Sequence, residues 1–353
     1  MLNSNWIIQD RKINIALVGC GRISKNHVNA IAEHRDRVNL VGVCDIDVAT
    51  LQKATQDHGV EGYDNLDAML AKSNADLYVL CTPSGLHPSQ TIKIAKAGKH
   101  ILTEKPMATR WQDGLDMVKA CDEAGVRLFV VKQNRLNATL QHVKKAIDQK
   151  RFGKIYMMAA NVFWTRPQDY YDQGAWRGTW EFDGGAFMNQ ASHYIDLMHW
   201  LGGPIDSVQA MMGTLARDIE AEDTGALNIR YRNGAIGTVG VTMLTYPKNL
   251  EGSITILGEK GTVRVGGVAV NEIHNWEFEQ MTAEDEPIKN ASYETHSVYG
   301  HGHPIYYDNV ISCLQGKAEP LVDGREGLRS LELLSAAYIA ARDNRTVQLP
   351  LVL

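Results

Sequence analysis

Four stretches of this chain hold residue types whose spacing could carry chemistry. The apolar run at 13–18 ends in Gly19-Cys20-Gly21-Arg22-Ile23-Ser24, a G-x-G-x-x-S turn leading into a helical pattern. In such a turn the first glycine permits the tight bend, and the second lets backbone approach a pyrophosphate. A small third residue lets strand and helix pack, and Ser24 is small enough. Helix N–H groups and the helix dipole then hold the phosphates. A second apolar run, 38–44, ends in Asp45, an acid placed for a ribose diol. Its carboxylate would repel a 2′-phosphate and no Arg follows closely, so NAD is favoured over NADP.

Thr103-Glu104-Lys105-Pro106 closes a later apolar run. Oxidation of an alcohol needs a group that accepts the hydroxyl proton as hydride leaves. A Lys whose pKa is lowered by burial or neighbouring cations can do this. A surface Lys paired with Glu104 is the competing reading. Asp183-Gly184-Gly185-Ala186-Phe187-Met188-Asn189-Gln190-Ala191-Ser192-His193-Tyr194-Ile195-Asp196 places Asn189, His193 and Asp196 at i, i+4 and i+7, one helix face. Gly184 and Gly185 would leave the start of that helix open to an anionic or hydroxylated ligand; for His193 alone, a buried structural histidine is the alternative. Cys81-Thr82-Pro83-Ser84-Gly85-Leu86-His87-Pro88 reads as a cleft wall or as a plain strand-to-helix turn.

The elements that must position these residues change character near residue 150. Strands are predicted at 13–18, 38–44, 76–81, 100–103 and 127–131, alternating with helices. This βαβ rhythm implies a doubly wound parallel sheet, with ligands beyond the carboxyl ends of its strands. Strand patterns follow at 154–164, 206–215, 224–231, 235–243, 252–257 and 261–266, several joined by hairpin signals such as Arg232-Asn233-Gly234. They predict an α+β domain with a large open, mainly antiparallel sheet, interrupted by a helix at about 184–201. The uncovered sheet face calls for a second subunit, giving a dimer or tetramer. The polar segment 271–300 reads as an excursion loop. Helices at 303–315 and 325–343 and a strand at 346–349 complete the pattern. The domains are set at 1–135 and 136–353, with the final helix able to pack back on the first.

Bulk properties narrow the class. The chain has 353 residues, 44% hydrophobic and 22% charged, with net charge −5. Nucleic acid and an anionic membrane are unlikely partners for such a balance. No apolar run approaches the roughly 20 residues of a membrane span, and the N-terminus lacks a signal-peptide pattern. Five scattered cysteines without a C-x-x-C argue against a disulfide framework or zinc site and fit a reducing cytoplasm. Cys20, Cys44 and Cys81 read as small buried residues near a cofactor rather than nucleophiles. His296, His301 and His303 invite a zinc reading, but no Cys or closely spaced acid completes the set. No metal is expected.

The glycine turn, the Glu-Lys-Pro triplet and the GG…H…D run, in this order over nearly the whole chain, resemble the Gfo/Idh/MocA family of NAD(P)-dependent sugar oxidoreductases. The resemblance implies a Rossmann domain followed by an open-sheet domain, with the active site between them. It makes Lys105 the family's catalytic lysine and His193 its active-site histidine, and it implies a Lys105–Pro106 bond that is often cis. Many members carry Asp where this chain has Asn189. An amide cannot accept a proton as a carboxylate can, which moves the burden of base to Lys105 or His193.

Residues 163–180 hold three Trp, two Tyr and two Arg, a composition suited to a sugar, a stacking base and carboxylate or phosphate oxygens, or alternatively to a packed contact. With Gln133-Asn134-Arg135 and the segment 189–193, it is similar to one branch of the family. That branch, the UDP-N-acetyl-2-amino-2-deoxyglucuronate (UDP-GlcNAcA) dehydrogenases of bacterial surface-polysaccharide (O-antigen) pathways, oxidises the sugar C3 hydroxyl. Some of its members reoxidise bound NADH with 2-oxoglutarate. The resemblance then implies Asn189, Gln190, Arg166 and Tyr170 as substrate contacts, and Tyr307, on the helix that His303-Pro304 starts, is placed to line the cleft. It implies Gly19, Gly21, Arg22, Ile23, Asp45, Thr82, Pro83, His87, Glu104, Lys105, Gln133, Trp176 and Arg177 around the cofactor. A family dehydrogenase of an inositol or simple sugar, and a non-catalytic NAD-sensing regulator, are the alternatives; an uncharged polyol does not need Arg166 or Arg177.

Overall fold

The computed structural model describes residues 6–267, 269–289, 291–294 and 302–352. The chain forms two compact units, one of residues 1–131 with 303–331, the other of 132–302 with 332–353. The final helix, Gly324–Asp343, contributes its first eight residues to the first unit and the rest to the second.

The first unit is built on a six-stranded parallel sheet. In chain order its strands are β1 (Ile13–Val18), β2 (Val38–Cys44), β3 (Glu61–Tyr63), β4 (Leu77–Leu80), β5 (His100–Thr103) and β6 (Leu128–Val130). Their spatial order is β3-β2-β1-β4-β5-β6. The centre of the sheet is apolar because helices cover both faces: Ile15, Ala16, Leu77, Val79, Ile101 and Leu102 are fully buried. Order reverses between β1 and β4, where the carboxyl ends of the strands open a crevice. β3 escapes sequence analysis because Glu61-Gly62-Tyr63 has no apolar run; it is held at the edge by pairing with Gly42–Cys44.

The second unit holds an eight-stranded sheet. Its strands are β7 (Ile155–Phe163), β8 (Ile205–Gly213), β9 (Thr224–Tyr231), β10 (Ile236–Thr242), β11 (Glu251–Gly258), β12 (Gly261–Gly266), β13 (Glu272–Phe278) and β14 (Val347–Gln348). The order β13-β12-β11-β7-β10-β9-β8-β14 is antiparallel except where β10 runs parallel to β7. Burial alternates along β7, with Met158, Ala160 and Val162 inside. Met157, Met211, Ile236 and Leu257 are exposed apolar side chains of the same sheet.

β13 corrects the reading of 271–300 as a loop. The segment is polar because its alternate side chains are solvated, while Trp276 and Phe278 are buried and pair across to β12. Asp285, in the short helix Asp285–Lys289 that follows, is completely buried. Its Oδ1 accepts from the Trp276 indole and from Arg151, both at 2.7 Å. Its Oδ2 accepts from Arg151 at 2.8 Å and from the Thr282 N–H at 2.7 Å. The Arg151 bonds, ahead of burial's opposing effect, hold this carboxyl well below the usual carboxylate range. A depressed folded-state pKa contributes stability above the ordinary Asp range, and that contribution disappears as pH falls through it. Asp285→Ala is therefore expected to cost about 3 kcal/mol near neutral pH, because Arg151 and the indole lose their acceptor. Denaturant titration of both proteins should show the difference shrinking as pH falls below about 4.

Candidate active site

The turn after β1 is shaped by sterics. Gly19 has φ +92°, and a Cβ there would lie 2.9 Å from the Cys81 carbonyl carbon and the Thr82 nitrogen, so only glycine lets this turn rest on the one after β4. At Gly21 a Cβ would meet nothing within 4 Å; the backbone faces open space, as close approach of a phosphate requires. The helix Ser24–Glu33 begins with no side-chain cap and no acid in its first turn, the arrangement that suits an anion there. Asp45 accepts the Cys20 N–H at 2.7 Å and the Asp47 N–H at 2.9 Å, so it braces the glycine turn while staying partly exposed. Beside it Ile46 is 88% exposed. These residues fit a dinucleotide whose ribose lies on Asp45. Burial and the neighbouring Asp45 push the Cys20 thiol up to about 12, consistent with a packing residue.

Around Lys105 the structure gathers residues from four segments of the first unit. The Lys105–Pro106 bond is cis. His87 is buried between two carbonyl oxygens, with Nδ1 3.0 Å from that of Pro106 and Nε2 2.9 Å from that of Thr82, so it ties the two turns together. Glu104 is buried beneath them. Its Oε1 lies 3.0 Å from His27 Nε2 and 3.4 Å from His303 Nε2, and its Oε2 accepts the Lys105 N–H at 3.1 Å. His27 Nδ1 is 2.8 Å from the Tyr307 hydroxyl. The self-consistent assignment has Tyr307 donating to Nδ1 and Nε2–H donating to the carboxylate. Burial alone would raise Glu104, but the two histidines outweigh it and hold this carboxyl well below its usual range. Burial lowers His27. The three ligand atoms lie within 4.8 Å of one another, close enough to frame a metal ion, yet direct hydrogen bonds already account for the grouping.

In the second unit, His193 is buried with Nε2 3.2 Å from the Gln133 side-chain nitrogen. One turn further along the helix Ser192–Gly202, Asp196 receives a two-pronged grip from Arg135, at 2.7 and 2.8 Å, with Lys132 Nζ at 3.6 Å. Burial opposes ionisation of Asp196, but Lys132 and Arg135 prevail and hold it well below the usual carboxylate range. This ion cluster fixes the helix that carries His193. The aromatic stretch is compact. Arg166 stands over the rings of Trp164 and Tyr170 at 5.2 and 5.4 Å, and Arg177 over Tyr170 and Trp176 at 4.4 and 4.7 Å. Arg177 Nε is buried without a hydrogen-bond partner, and neither arginine joins an ion pair among the described residues.

Two expectations change here. Asn189 does not share a regular α-helical face with His193. Residues Ala186–Gln190 form a π-helical turn, closed by the Ala191 N–H on the Ala186 carbonyl at 2.8 Å, before the α-helix begins. Such turns are frequent at functional sites. The start of this segment is also occupied rather than open. The Glu222 carbonyl accepts the Ala186 N–H and its carboxylate the Phe187 N–H, each at 2.9 Å. The Tyr338 hydroxyl accepts the Met188 N–H at 3.1 Å. Asn189 donates its amide to Asp183, a buried carboxylate that also accepts the Gly178 N–H at 2.7 Å. Gln190 is buried on the same turn.

Tyr307 is likewise relocated: fully buried, with its hydroxyl on His27, it supports Glu104 rather than offering a sugar contact. His303 lies in the Glu104 cluster, whereas His296 and His301 lie outside the described residues. His27, Asp183, Glu222 and Tyr338, which hydrogen-bond to the candidate residues or to their turn, are not singled out by the sequence. The available signal for His27 was a titratable residue on the buried face of its helix, with Ala30 and Ile31.

The NAD-binding Rossmann fold of the Gfo/Idh/MocA oxidoreductases matches residues 13–132, and their C-terminal alpha/beta domain matches residues 144–349. The chain belongs to the Gfo/Idh/MocA family. It is an NAD-dependent oxidoreductase. Among solved structures, the WlbA dehydrogenase of Bordetella pertussis, in complex with NADH and UDP-GlcNAcA, is 66% identical, with a TM-score of 0.95 over 98% of this chain and 100% of that one. The WlbA dehydrogenase of Chromobacterium violaceum, with the same two ligands, is 63% identical, with a TM-score of 0.94 over 98% of this chain and 99% of that one. A curated relative, D-apiose dehydrogenase of Paraburkholderia graminis, is 28% identical over 95% of this chain and 89% of its own length.

For this family member the Glu104 cluster generates a test. Glu104→Ala removes the acceptor of three donors and leaves two buried histidines facing a void. It is expected to destabilise the fold by about 3 kcal/mol, read by denaturant titration. Tyr307→Phe removes one neutral hydrogen bond and should cost about 1 kcal/mol.

Proposed function

We propose that the protein oxidises the C3 hydroxyl of UDP-N-acetylglucosaminuronate to the 3-keto sugar. The reading is supported by identity of 66% and 63%, across 98% of the chain, to dehydrogenases solved with NADH and this sugar nucleotide. The observation in this molecule that carries it is the pair of arginines stacked on Trp164, Tyr170 and Trp176 without ion-pair partners among the described residues. Stacked guanidinium groups suit a uronate carboxylate or a diphosphate, and an uncharged polyol gives them nothing to pair with.

Bound NAD supplies the hydride acceptor. Gly19, Gly21, Arg22 and Ile23 hold its pyrophosphate and Asp45 its ribose, and Thr82, Pro83, Gln133, Trp176 and Arg177 belong to its surroundings. Lys105, as the neutral amine, accepts the C3 hydroxyl proton while the C3 hydrogen departs as hydride. His193 and Asn189 hold the sugar hydroxyls, and Arg166, Tyr170 and Gln190 its anionic groups. Asp183 accepts the amide of Asn189, which stands where the family usually has Asp, and proton acceptance stays with Lys105. In the second half-reaction, 2-oxoglutarate takes the hydride at its C2 carbonyl, gains a proton and leaves as 2-hydroxyglutarate. The product is a surface-polysaccharide precursor, and the exposed apolar residues of the open sheet, Met157, Met211, Ile236 and Leu257, are covered by a second copy in a dimer or tetramer.

Purified protein mixed with NAD and UDP-GlcNAcA should give a near-ultraviolet NADH signal that decays when 2-oxoglutarate is added, with 2-hydroxyglutarate formed. Sustained release of NADH would reject in-place recycling, and no signal with NAD binding intact would reject the substrate. Lys105→Ala is expected to lower kcat by about 10²–10⁴-fold, the usual worth of a general base, with NAD affinity within about twofold.

A further inference from the structure

We propose that Glu222 is a positioning residue for the sugar-binding turn: its carboxylate fills the space beside Gly185 and holds the turn that carries Asn189 and Gln190. The inference rests on the reading of that segment as the sugar site. Three observations converge. A Cβ on residue 185 would lie 1.8–2.3 Å from the Glu222 carboxylate atoms, so the second glycine of the pair makes room for an internal acid. The same residue takes two successive N–H groups of the turn, through its carbonyl and its Oε1, and takes the third through Tyr338, whose hydroxyl donates to Oε1 at 2.9 Å and accepts from Met188. Glu222 is buried, and its Oε2 has no hydrogen-bond partner among the described residues.

Three of the four orphan donors of a helix start are thus met by one residue, through its backbone carbonyl and its carboxylate, and by its helper Tyr338. An ionised carboxylate is the stronger acceptor for such groups, by roughly a fewfold to tenfold in equilibrium terms over a neutral one. The charge is not secure. Burial pushes Glu222 up to about 7, opposed by the Phe187 N–H and the Tyr338 hydroxyl and reinforced by neighbouring Asp223. Asp223 itself is held ionised by the N–H groups of Leu215, Ala216 and Arg217. The other titratable group in contact with it is Tyr338, on the final helix. Ionised Glu222 grips the turn and protonated Glu222 loosens it, so affinity for the sugar nucleotide should rise as pH rises through 7.

The test compares wild type, Glu222→Gln and Tyr338→Phe. KM for UDP-GlcNAcA is measured from pH 6 to 8, with NAD affinity and thermal midpoint as controls for folding. Wild-type KM should fall about fivefold across this range. In Glu222→Gln, a neutral isostere, KM should stay at the wild-type low-pH value throughout. Tyr338→Phe removes a donor to the ionised form, so the inflection should move to higher pH. A merely structural role would change the thermal midpoint and leave the inflection in place. An inflection that persists in Glu222→Gln, or fails to move in Tyr338→Phe, overturns the proposal. Infrared difference titration of the protein without substrate reads the same carboxyl independently. A protonated-carboxyl band that titrates near neutral pH and is absent from Glu222→Gln supports the proposal even if UDP-GlcNAcA is not the substrate; its absence from wild type overturns it.

Discussion

A carboxylate taken out of water must be matched by donors and cations or surrender its charge, and this constraint organises both units. Moving an ion into a protein interior costs several kcal/mol even after relaxation. Glu104, Asp196 and Asp285 are all buried, and each is matched: two histidines and a backbone N–H, an arginine with a lysine, and an arginine with an indole. Each ties together segments far apart in sequence. The Glu104 cluster joins residues 27, 104, 303 and 307, so the turn that presents Lys105 is fixed by the end of the chain as well as its beginning. Glu222 is the exception, with one oxygen partnered and one not. The contrast separates acids that lock a frame from one that is left able to titrate.

Glycine sits at two decisive turns for different physical reasons. Gly19 combines a left-handed backbone with a main chain 2.9 Å from where its Cβ would be, so both conformation and space demand it. Gly185 has no unusual φ, and it is required by the side chain opposite, the Glu222 carboxylate. A backbone constraint is visible in the local sequence. A constraint set by a residue 37 positions away, on the run into β9, is not.

Periodicity carried much of the fold. The buried parallel strands read as apolar runs, and five of the six in the first sheet were located within a residue or so. β3 and β13 were not, because neither signals itself: Glu61-Gly62-Tyr63 lacks an apolar core, and β13 exposes most of its alternate positions. The π-helical turn at Ala186–Gln190 was read as part of a regular α-helix. Nothing in these five residues announces a wider turn, and the groups that take the N–H of Ala186, Phe187 and Met188 come from Glu222 and Tyr338, far along the chain. Among the candidate site residues, those inside contiguous motifs are the ones the sequence singles out: Gly19, Gly21, Asp45, Lys105, Asn189 and His193. Those that support them from elsewhere in the chain, such as His27, Asp183 and Tyr338, needed the tertiary fold.

The two parts of the proposed chemistry are supported separately, and this has a consequence for how substrate range can vary. Lys105 depends on Glu104, His87 and the cis turn, all within the first unit. His193 depends on Asp196 and Gln133, within the second. The stacked arginines depend on neither. Arg166 and Arg177 are placed by Trp164, Tyr170 and Trp176 on a stretch between β7 and the π turn. Asp183 links this stretch to the π turn, accepting the Gly178 N–H and the Asn189 amide, so a change in the stretch is felt at the turn that carries Asn189. The turn that presents Lys105 is held by Glu104 and His87 within the first unit, so in the proposed chemistry substrate range and proton transfer draw on different residues.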